Sequence, residues 1–359
     1  MPLFKIKLPE TYDRRLQAEL IRLGYSVSQP GRLADAILRL SDHYLQNPEA
    51  PSPFEQGWAQ AAYLAYYFPL NYARAKAAAL TGAFLGFFDG LDGFIDFGSG
   101  PGSAAFALLE TGAFPKGALA FDRSTESLDL QRRLAGDDFA GRLRTVSSLP
   151  AIGPAAGGQN SNQLACFSYA LTESTDLPRW AKNCEALFLV EPSTRDDGRK
   201  LQRLRAELLA KEGFHAWAPC THQAACPLLE ESERDWCHAR TFFDQPDWWS
   251  KLEARLPMKN RTITYSYLLA RRTPPPLVLH GAARTVGDPL KEKGKTRIAL
   301  CRGPSREFLA WFPPRMKHIP DLERGELVRI PLDLEIKGAQ AHSREIRVTS
   351  IDQILPVRI

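Results

Sequence analysis

The sequence predicts an α/β fold built on a parallel sheet, and three observations predict it. Short apolar runs recur at 93–97, 117–122, 143–147, 163–169, 186–191, 214–218 and 263–270, with helix-forming stretches between them. The fifth run, Ala186-Leu187-Phe188-Leu189-Val190-Glu191, is apolar up to its last residue, as a strand buried on both faces requires. The first run passes from Phe94-Ile95-Asp96-Phe97 through Gly98-Ser99-Gly100-Pro101-Gly102 into a helix start at Ser103-Ala104-Ala105-Phe106. A strand that runs through glycines into a helix aims backbone N–H groups and a positive helix end at a ligand. The glycines, having no Cβ, let that ligand come close.

The spacing of this turn narrows the ligand. A dinucleotide fingerprint is G-x-G-x-x-G, whereas here the third glycine comes one residue early and Ser103 takes its place. Asp96 precedes the first glycine by two. The resulting D-x-G-x-G-x-G resembles the first motif of class I S-adenosylmethionine (SAM)-dependent methyltransferases, and a dinucleotide fold is the alternative. The next strand ends in Asp122, placed to accept both hydroxyls of a bound ribose. Expected cofactor contacts are therefore Asp96, Phe97, Gly98, Ser99, Gly100, Gly102 and Asp122, with Ser168 at the methionine end. The seven strands fit the class I methyltransferase Rossmann-like sheet, whose last strand is antiparallel.

Composition excludes several classes. At 44% hydrophobic residues the chain is ordinary for a globular protein, and no apolar run reaches a membrane span. The start Met1-Pro2-Leu3-Phe4-Lys5-Ile6-Lys7 lacks a signal-peptide core and a transit-peptide bias, so a cytoplasmic protein and a monomer are expected. Six cysteines in 359 residues do not make a disulfide scaffold. The net charge of +5 is unevenly placed: from Arg255 to His318 there are 14 Lys/Arg against 3 Asp/Glu. Such a run is the footprint of a polyanion. Its interleaving with Tyr265, Tyr267, Phe308, Trp311 and Phe312 suggests unpaired RNA bases, whereas a solvated surface is the plainer reading.

Three regions are expected: a helical region over 1–85, a SAM-binding domain over 86–275 with a cysteine-rich insertion at 219–260, and a β domain over 276–359. Helical periodicity runs over Tyr12–Leu23, Leu33–Tyr44 and Trp58–Tyr66, and an alanine-rich helix follows Arg74. Tyr72 and Arg74 are placed either to reach the pocket or RNA, or to pack. In the SAM domain, Ser193 or Thr194 is positioned to cap a helix carrying Leu201, Leu204 and Leu208, and Gly213 to close it. Past Pro274-Pro275-Pro276 come β-like runs at Leu277–His280, Thr296–Cys301, Phe308–Phe312, Glu326–Ile330 and Ile346–Ser350. They suggest a small β-barrel, of the oligonucleotide-binding kind.

The end of the fourth strand, Phe167-Ser168-Tyr169-Ala170-Leu171-Thr172-Glu173, is where ligands sit in such sheets. It lacks the Asn/Asp-Pro-Pro-aromatic grip of a base-amine methyltransferase, and no residue there is a clear general base. Catalytic residues are unassigned. The sequence supports SAM binding better than methyl transfer.

Cys220, Cys226 and Cys237 follow C-x5-C-x10-C spacing, and Cys301 lies 64 residues beyond Cys237. Thiolates hold Zn²⁺ or an iron–sulfur cluster, and either takes four. The wide spacing is easier for a cluster, and His222 and His238 are substitutes for Cys301. Cys166 and Cys184 read as buried apolar thiols. The alternative of Cys220 as a nucleophile attacking a pyrimidine ring suffers from its place after the sixth strand. Three scattered thiols remain the bland reading.

Phe97-Gly98-Ser99-Gly100-Pro101-Gly102, Ala218-Pro219-Cys220 with Cys226-Pro227, Asp235-Trp236-Cys237-His238 and Tyr267-Leu268-Leu269-Ala270-Arg271-Arg272 together carry a resemblance. They resemble the methyltransferase-like family associated with the small ribosomal subunit of bacteria and mitochondria (Rsm-twenty-two type; methyltransferase-like protein seventeen). Phe68-Pro69-Leu70-Asn71-Tyr72-Ala73 departs from that family's more usual Arg-Leu-Pro-Ala-Thr-Tyr. The resemblance implies a SAM-type domain and a [4Fe–4S] cluster, or zinc, on Cys220, Cys226, Cys237 and Cys301. It also implies binding to small-subunit ribosomal RNA in the assembling small ribosomal subunit. Two further readings stand beside it: an active rRNA or ribosomal-protein methyltransferase, and a non-catalytic iron- or redox-responsive ribosome binder.

Overall fold

The computed structural model describes residues 4–47, 50–149, 162–171, 176–260, 262–276, 279, 281–316, 318, 320–331, 333–334, 336–338 and 343–357. A short strand, β1 (Lys5–Lys7), precedes helices α1 (Glu10–Arg22), α2 (Pro30–Gln46) and α3 (Gly57–Ala62). A π-helical turn, Tyr63–Tyr67, joins α3 to α4 (Phe68–Phe84). Pro30 and Pro69 sit in first turns, where a missing N–H costs nothing. That is why α4 begins at Phe68 instead of after Arg74. Its alanines at 73, 75 and 77–79 are all buried, so the helix lies close against its neighbours.

The α/β unit follows as β2 (Gly93–Phe97), α5 (Ser103–Leu109), β3 (Ala118–Phe121), α6 (Thr125–Ala135), β4 (Leu143–Val146) and β5 (Gln163–Ser168). It continues through α7 (Arg179–Lys182), β6 (Ala186–Glu191), α8 (Arg195–Lys211), β7 (His215–Ala218), α9 (Pro227–Glu230), β8 (Ala239–Asp244), α10 (Trp249–Glu253) and β9 (Thr262–Arg271). All seven strands read from the sequence are present. β4, β3, β2, β5 and β6 pair in parallel in that spatial order. β9 pairs antiparallel with β6 and, along its other edge, with β7. This is the class I methyltransferase sheet with its single reversed strand. Thr194 caps α8 through the Asp197 N–H, and Gly213 at φ +70° closes it.

Two strands lie outside the sequence reading. β8 pairs with the first half of β9, and β1 pairs in parallel with β8, extending the sheet. The N-terminal helices share one apolar core with the sheet: Tyr12, Leu16, Leu33, Ile37 and Phe68 pack in the same cluster as Phe94, Phe106 and Leu130. Arg15 ties α1 to the end of α6 through the Ala135 carbonyl (2.8 Å) and Asp138 (2.6 Å).

The C-terminal strands are β10 (Ala282–Thr285), β11 (Leu290–Glu292), β12 (Lys295–Cys301), β13 (Glu307–Trp311), β14 (Leu327–Arg329), β15 (Ile336–Lys337), β16 (Glu345–Arg347) and β17 (Leu355–Pro356). They form a separate sheet in the order β15-β16-β13-β12-β10-β14-β17, with β11 on β12. Among the described residues its two end strands, β15 and β17, do not pair with each other. β10 pairs antiparallel with β12 and β14, β12 antiparallel with β13, and β13 in parallel with β16. Of the run 277–280, only residue 279 lies within the described residues.

The interleaved aromatic rings of the basic stretch are core. Tyr265, Tyr267, Phe308 and Trp311 are all buried, so none is free to stack on a base, and only Phe312 is half-exposed. Tyr265 and Tyr267 flank the buried Ser266 of β9, and every residue of β13 is buried. Part of the basic excess is paired: Arg271 with Glu185, Arg302 with Glu307, and Arg306 with Asp235.

Candidate functional sites: a glycine turn and a four-thiol chamber

The glycine turn leaves β2 at the carboxyl edge of the sheet, between β3 and β5. Gly98, Gly100 and Gly102 have φ of +68°, +52° and +93°, conformations that a side chain would strain. Asp122, at the end of β3, accepts the Gly100 N–H at 2.8 Å and the Ser124 N–H at 2.8 Å. Both of its oxygens thus brace the turn, and a ribose would share them. Asp96 is 1% exposed, and neither carboxylate oxygen has a hydrogen-bond partner among the described residues. The Cys166 thiol and the Ala105 amide face it. Burial, reinforced by the Asp122 charge, pushes its carboxyl up to about 7. Ser168 Oγ, at the end of β5, is likewise buried and unpartnered. Two orphaned polar groups beside a glycine cradle fit a ligand carrying both a cation and hydrogen-bonding groups. Phe97 packs against Phe121 and Phe167.

The π-helical turn covers this cradle. Tyr63 Oη lies 3.7 Å from where a Gly100 Cβ would stand, and Asn71 Nδ2 donates to it at 3.5 Å. Burial pushes the Tyr63 hydroxyl up to about 12, so it stays protonated. Tyr72 is packing: its hydroxyl donates to Glu110 at 2.7 Å. Arg74 lies 5.5 Å from the Tyr169 ring and donates to the Thr264 carbonyl at 3.2 Å. Tyr169 has φ +60°, a strained value for a non-glycine residue at the end of β5. Glu191 steadies that loop by accepting the Leu171 N–H at 3.1 Å, and burial pushes its carboxyl up to about 8. Residues 172 and 173 lie outside the described residues.

The second site is the cysteine chamber. Cys220, Cys226, Cys237 and Cys301 line one cavity, although Cys301 comes from the C-terminal sheet and the others from the segment after β7. Burial pushes the Cys237 thiol up to about 12 and raises those of Cys226 and Cys301 as well. Among the described residues no group of three or more His, Cys, Asp or Glu side chains is arranged to hold a metal ion. His222 Nε2 lies 3.3 Å from Cys301 Sγ, and burial lowers this imidazole to about 4, leaving it neutral. His238 stacks on Trp236. Cys166 and Cys184 are buried away from this chamber, as expected.

The rest of the chamber was not legible as a site. Gly198, Gln202 and Arg205 line it from one face of α8 at spacings of four and three. Gln202 Nε2 donates to Cys226 Sγ at 3.2 Å. Arg205 Nε donates to Cys220 Sγ at 3.1 Å, and its Nη2 to the His222 carbonyl at 2.8 Å. Arg199 holds the intervening loop through the carbonyls of Ser232 (2.7 Å) and Asp235 (2.9 Å). Arg284, opposite Cys301 in the β10–β12 register, also lines the cavity. Arg205 is 4% and Arg284 5% exposed, and among the described residues no ion pair joins either guanidinium to a carboxylate. The signal for α8 was its polar stripe beside the leucines. Arg284 had none, because its neighbours are distant in sequence.

Residues 58–308 match the sequence family described as Mitochondrial small ribosomal subunit Rsm22. No curated protein matches the chain. Among solved structures, the plantazolicin methyltransferase BpumL in complex with SAH aligns at 8% identity and a TM-score of 0.36, over 71% of this chain and 100% of that one. TrmK of M. capricolum with S-adenosyl-homocysteine aligns at 8% identity and TM-score 0.32, over 55% and 69%. The ribosomal protein L11 methylase of Lactobacillus delbrueckii subsp. bulgaricus aligns at 14% and 0.30, over 55% and 79%. Strand order, and not these likenesses, places the chain in the class I fold.

Proposed function

The chain belongs to the Mitochondrial small ribosomal subunit Rsm22 family, and from that premise we propose that it is a SAM-binding, RNA-binding methyltransferase-like factor of small ribosomal subunit assembly. In this reading its four cysteines carry a [4Fe–4S] cluster as a structural clasp. The observation that carries the proposal is the chamber: three thiols from the segment after β7 and one from the C-terminal sheet line one cavity, beside two buried guanidiniums that among the described residues have no carboxylate partner. A cluster held by four thiolates has a net charge of about −2, which two guanidiniums balance. Four thiolates on Zn²⁺ carry the same charge. Cys220, Cys226, Cys237 and Cys301 would hold it, and it would supply a crosslink between the C-terminal sheet and the α/β unit.

For SAM, the glycine turn would take the methionine and ribose moieties. Asp96 would pair with the ligand's cationic end, Ser168 would hydrogen-bond it, and Asp122 would share the ribose. The residues at the end of β5 provide strain and hydrogen bonds but no assigned base, so binding without turnover is the favoured form. The expected compartment is that of the ribosome served, the cytoplasm or the mitochondrion that the family description names.

The decisive experiment is anaerobic purification with absorbance, iron, sulfide and zinc analysis, followed by incubation with small subunits and labelled SAM. A brown protein absorbing broadly near roughly 400 nm, and bleached by air, supports the cluster. One zinc per chain refutes iron but keeps the clasp. A colourless, metal-free chain overturns the chamber reading. Methyl transfer to any ribosomal component turns the assembly factor into an enzyme.

A further inference from the structure

Three neighbouring strands of the C-terminal sheet share a face that changes character along its length. The registers Ala299–Phe308–Glu345 and Arg297–Ala310–Arg347 place these residues side by side across β12, β13 and β16. At one end, Ala299 and Cys301 pack against Cys226, Leu228 and Val286, so that end is closed by the chamber. In the middle, Phe308 is buried beneath the guanidiniums of Arg297 (4.5 Å) and Arg306 (5.1 Å). Those cations are held by Glu292 at 2.7 Å and Asp235 at 2.6 Å.

The far end is open. Phe312 follows β13 half-exposed, with Arg315 and Arg347 each 5.7 Å from its ring centre. The Arg315 N–H bonds the Phe312 carbonyl at 2.8 Å through the Pro313-Pro314 turn, which fixes the cation beside the ring. Arg315 is exposed, and among the described residues its side chain has no ion pair. Among the described residues the ion-pair partners of Lys295, Arg297, Arg315 and Arg347 are Glu292 and Glu345, four cations against two carboxylates.

From this geometry we propose that Phe312, flanked by Arg315 and Arg347, seats one unpaired base of a single-stranded RNA. The ring supplies a π-face that any base can use, and the guanidiniums supply phosphate contacts or extend the stack. The seat rests on the RNA-binding reading above and names its place. An acidic protein segment would use the cations but leave the ring idle.

The test measures anisotropy of a labelled 12-nucleotide oligoadenylate, and of a duplex of equal length, on the full-length chain across a salt series. The expected result is preference for the single strand, about ten-fold weaker binding in Phe312→Ala, and recovery in Phe312→Trp. Arg315→Gln should flatten the salt dependence by about one phosphate contact. Oligoadenylate binding unchanged in Phe312→Ala overturns the seat while leaving RNA binding intact. Equal weakening of single strand and duplex, or displacement of the RNA by polyglutamate as readily as by unlabelled RNA, also overturns it. A parent chain that binds neither oligonucleotide overturns both the seat and the RNA-binding reading.

Discussion

Replacing Gly198 by alanine tests whether α8 positions the cysteine loop. The helix interior prefers alanine over glycine by about 1 kcal/mol, so propensity alone predicts a gain. The surroundings predict the opposite. A Cβ at Gly198 would stand 2.6 Å from Trp236 Cδ1 and 3.2 Å from Ser266 Oγ. Trp236 has little freedom to yield: its indole N–H donates to the Ser193 carbonyl at 2.7 Å, and its ring stacks on His238 at 5.4 Å. Ser266 Oγ is itself bonded to the Cys237 carbonyl at 3.0 Å. Overpacking at such a site costs about 1–3 kcal/mol. The clash therefore outweighs the propensity gain by about 1 kcal/mol. Because Trp236 precedes Cys237, the displacement also moves a chamber thiol. Urea denaturation of Gly198→Ala should show an earlier transition, and metal analysis should show reduced content. A variant as stable as the parent, with full metal content, would refute the argument that the helix and loop are tightly coupled.

Three more outcomes follow from the same structure. Asp96→Asn should remove a pH dependence: the buried carboxyl titrates near 7, above its ordinary value, so its stabilising contribution declines as pH rises through about 7, while the ionised form pairs with a cation. SAH affinity, measured by calorimetry, should rise between pH 6 and 8 in the parent and stay flat in the variant. Gly100→Asp places a side chain at φ +52° and a charge beside Asp122, so SAH binding should fall by at least ten-fold with RNA binding retained; loss of both would make the turn structural. Cys226→Ser should lose metal and expose the C-terminal sheet to limited proteolysis, whereas normal metal content would remove Cys226 from the chamber's ligands.

Local chemistry was legible because it is written in contiguous residues. The continuous apolar run of β6 could only be a doubly buried strand, and the glycines of the turn after β2 all take positive φ. Thr194 and Gly213 mark the ends of α8 by side-chain capping and a left-handed backbone. The rings of the basic stretch misled, because a ring near cations in sequence reads the same whether it faces solvent or core. Phe308 is buried beneath Arg297 and Arg306, and Trp311 packs in one cluster with Ile298, Val328 and Ile346, contacts that no local pattern records.

By itself, then, the sequence determined the sheet, the glycine turn and the grouping of Cys220, Cys226 and Cys237, since each depends on periodicity or on residue type at short range. Only the tertiary structure decided what those parts meet. It brought Cys301 and Arg284 to the cavity of the other three thiols, laid Gly198, Gln202 and Arg205 of α8 along it, and placed Tyr63 over Gly100. It also occupied the oxygens of Asp122 with backbone N–H groups, while among the described residues those of Asp96 have no hydrogen-bond partner. The physical reason is that desolvation and hydrogen-bond satisfaction belong to groups assembled from distant segments, and no local pattern records which distant group will arrive.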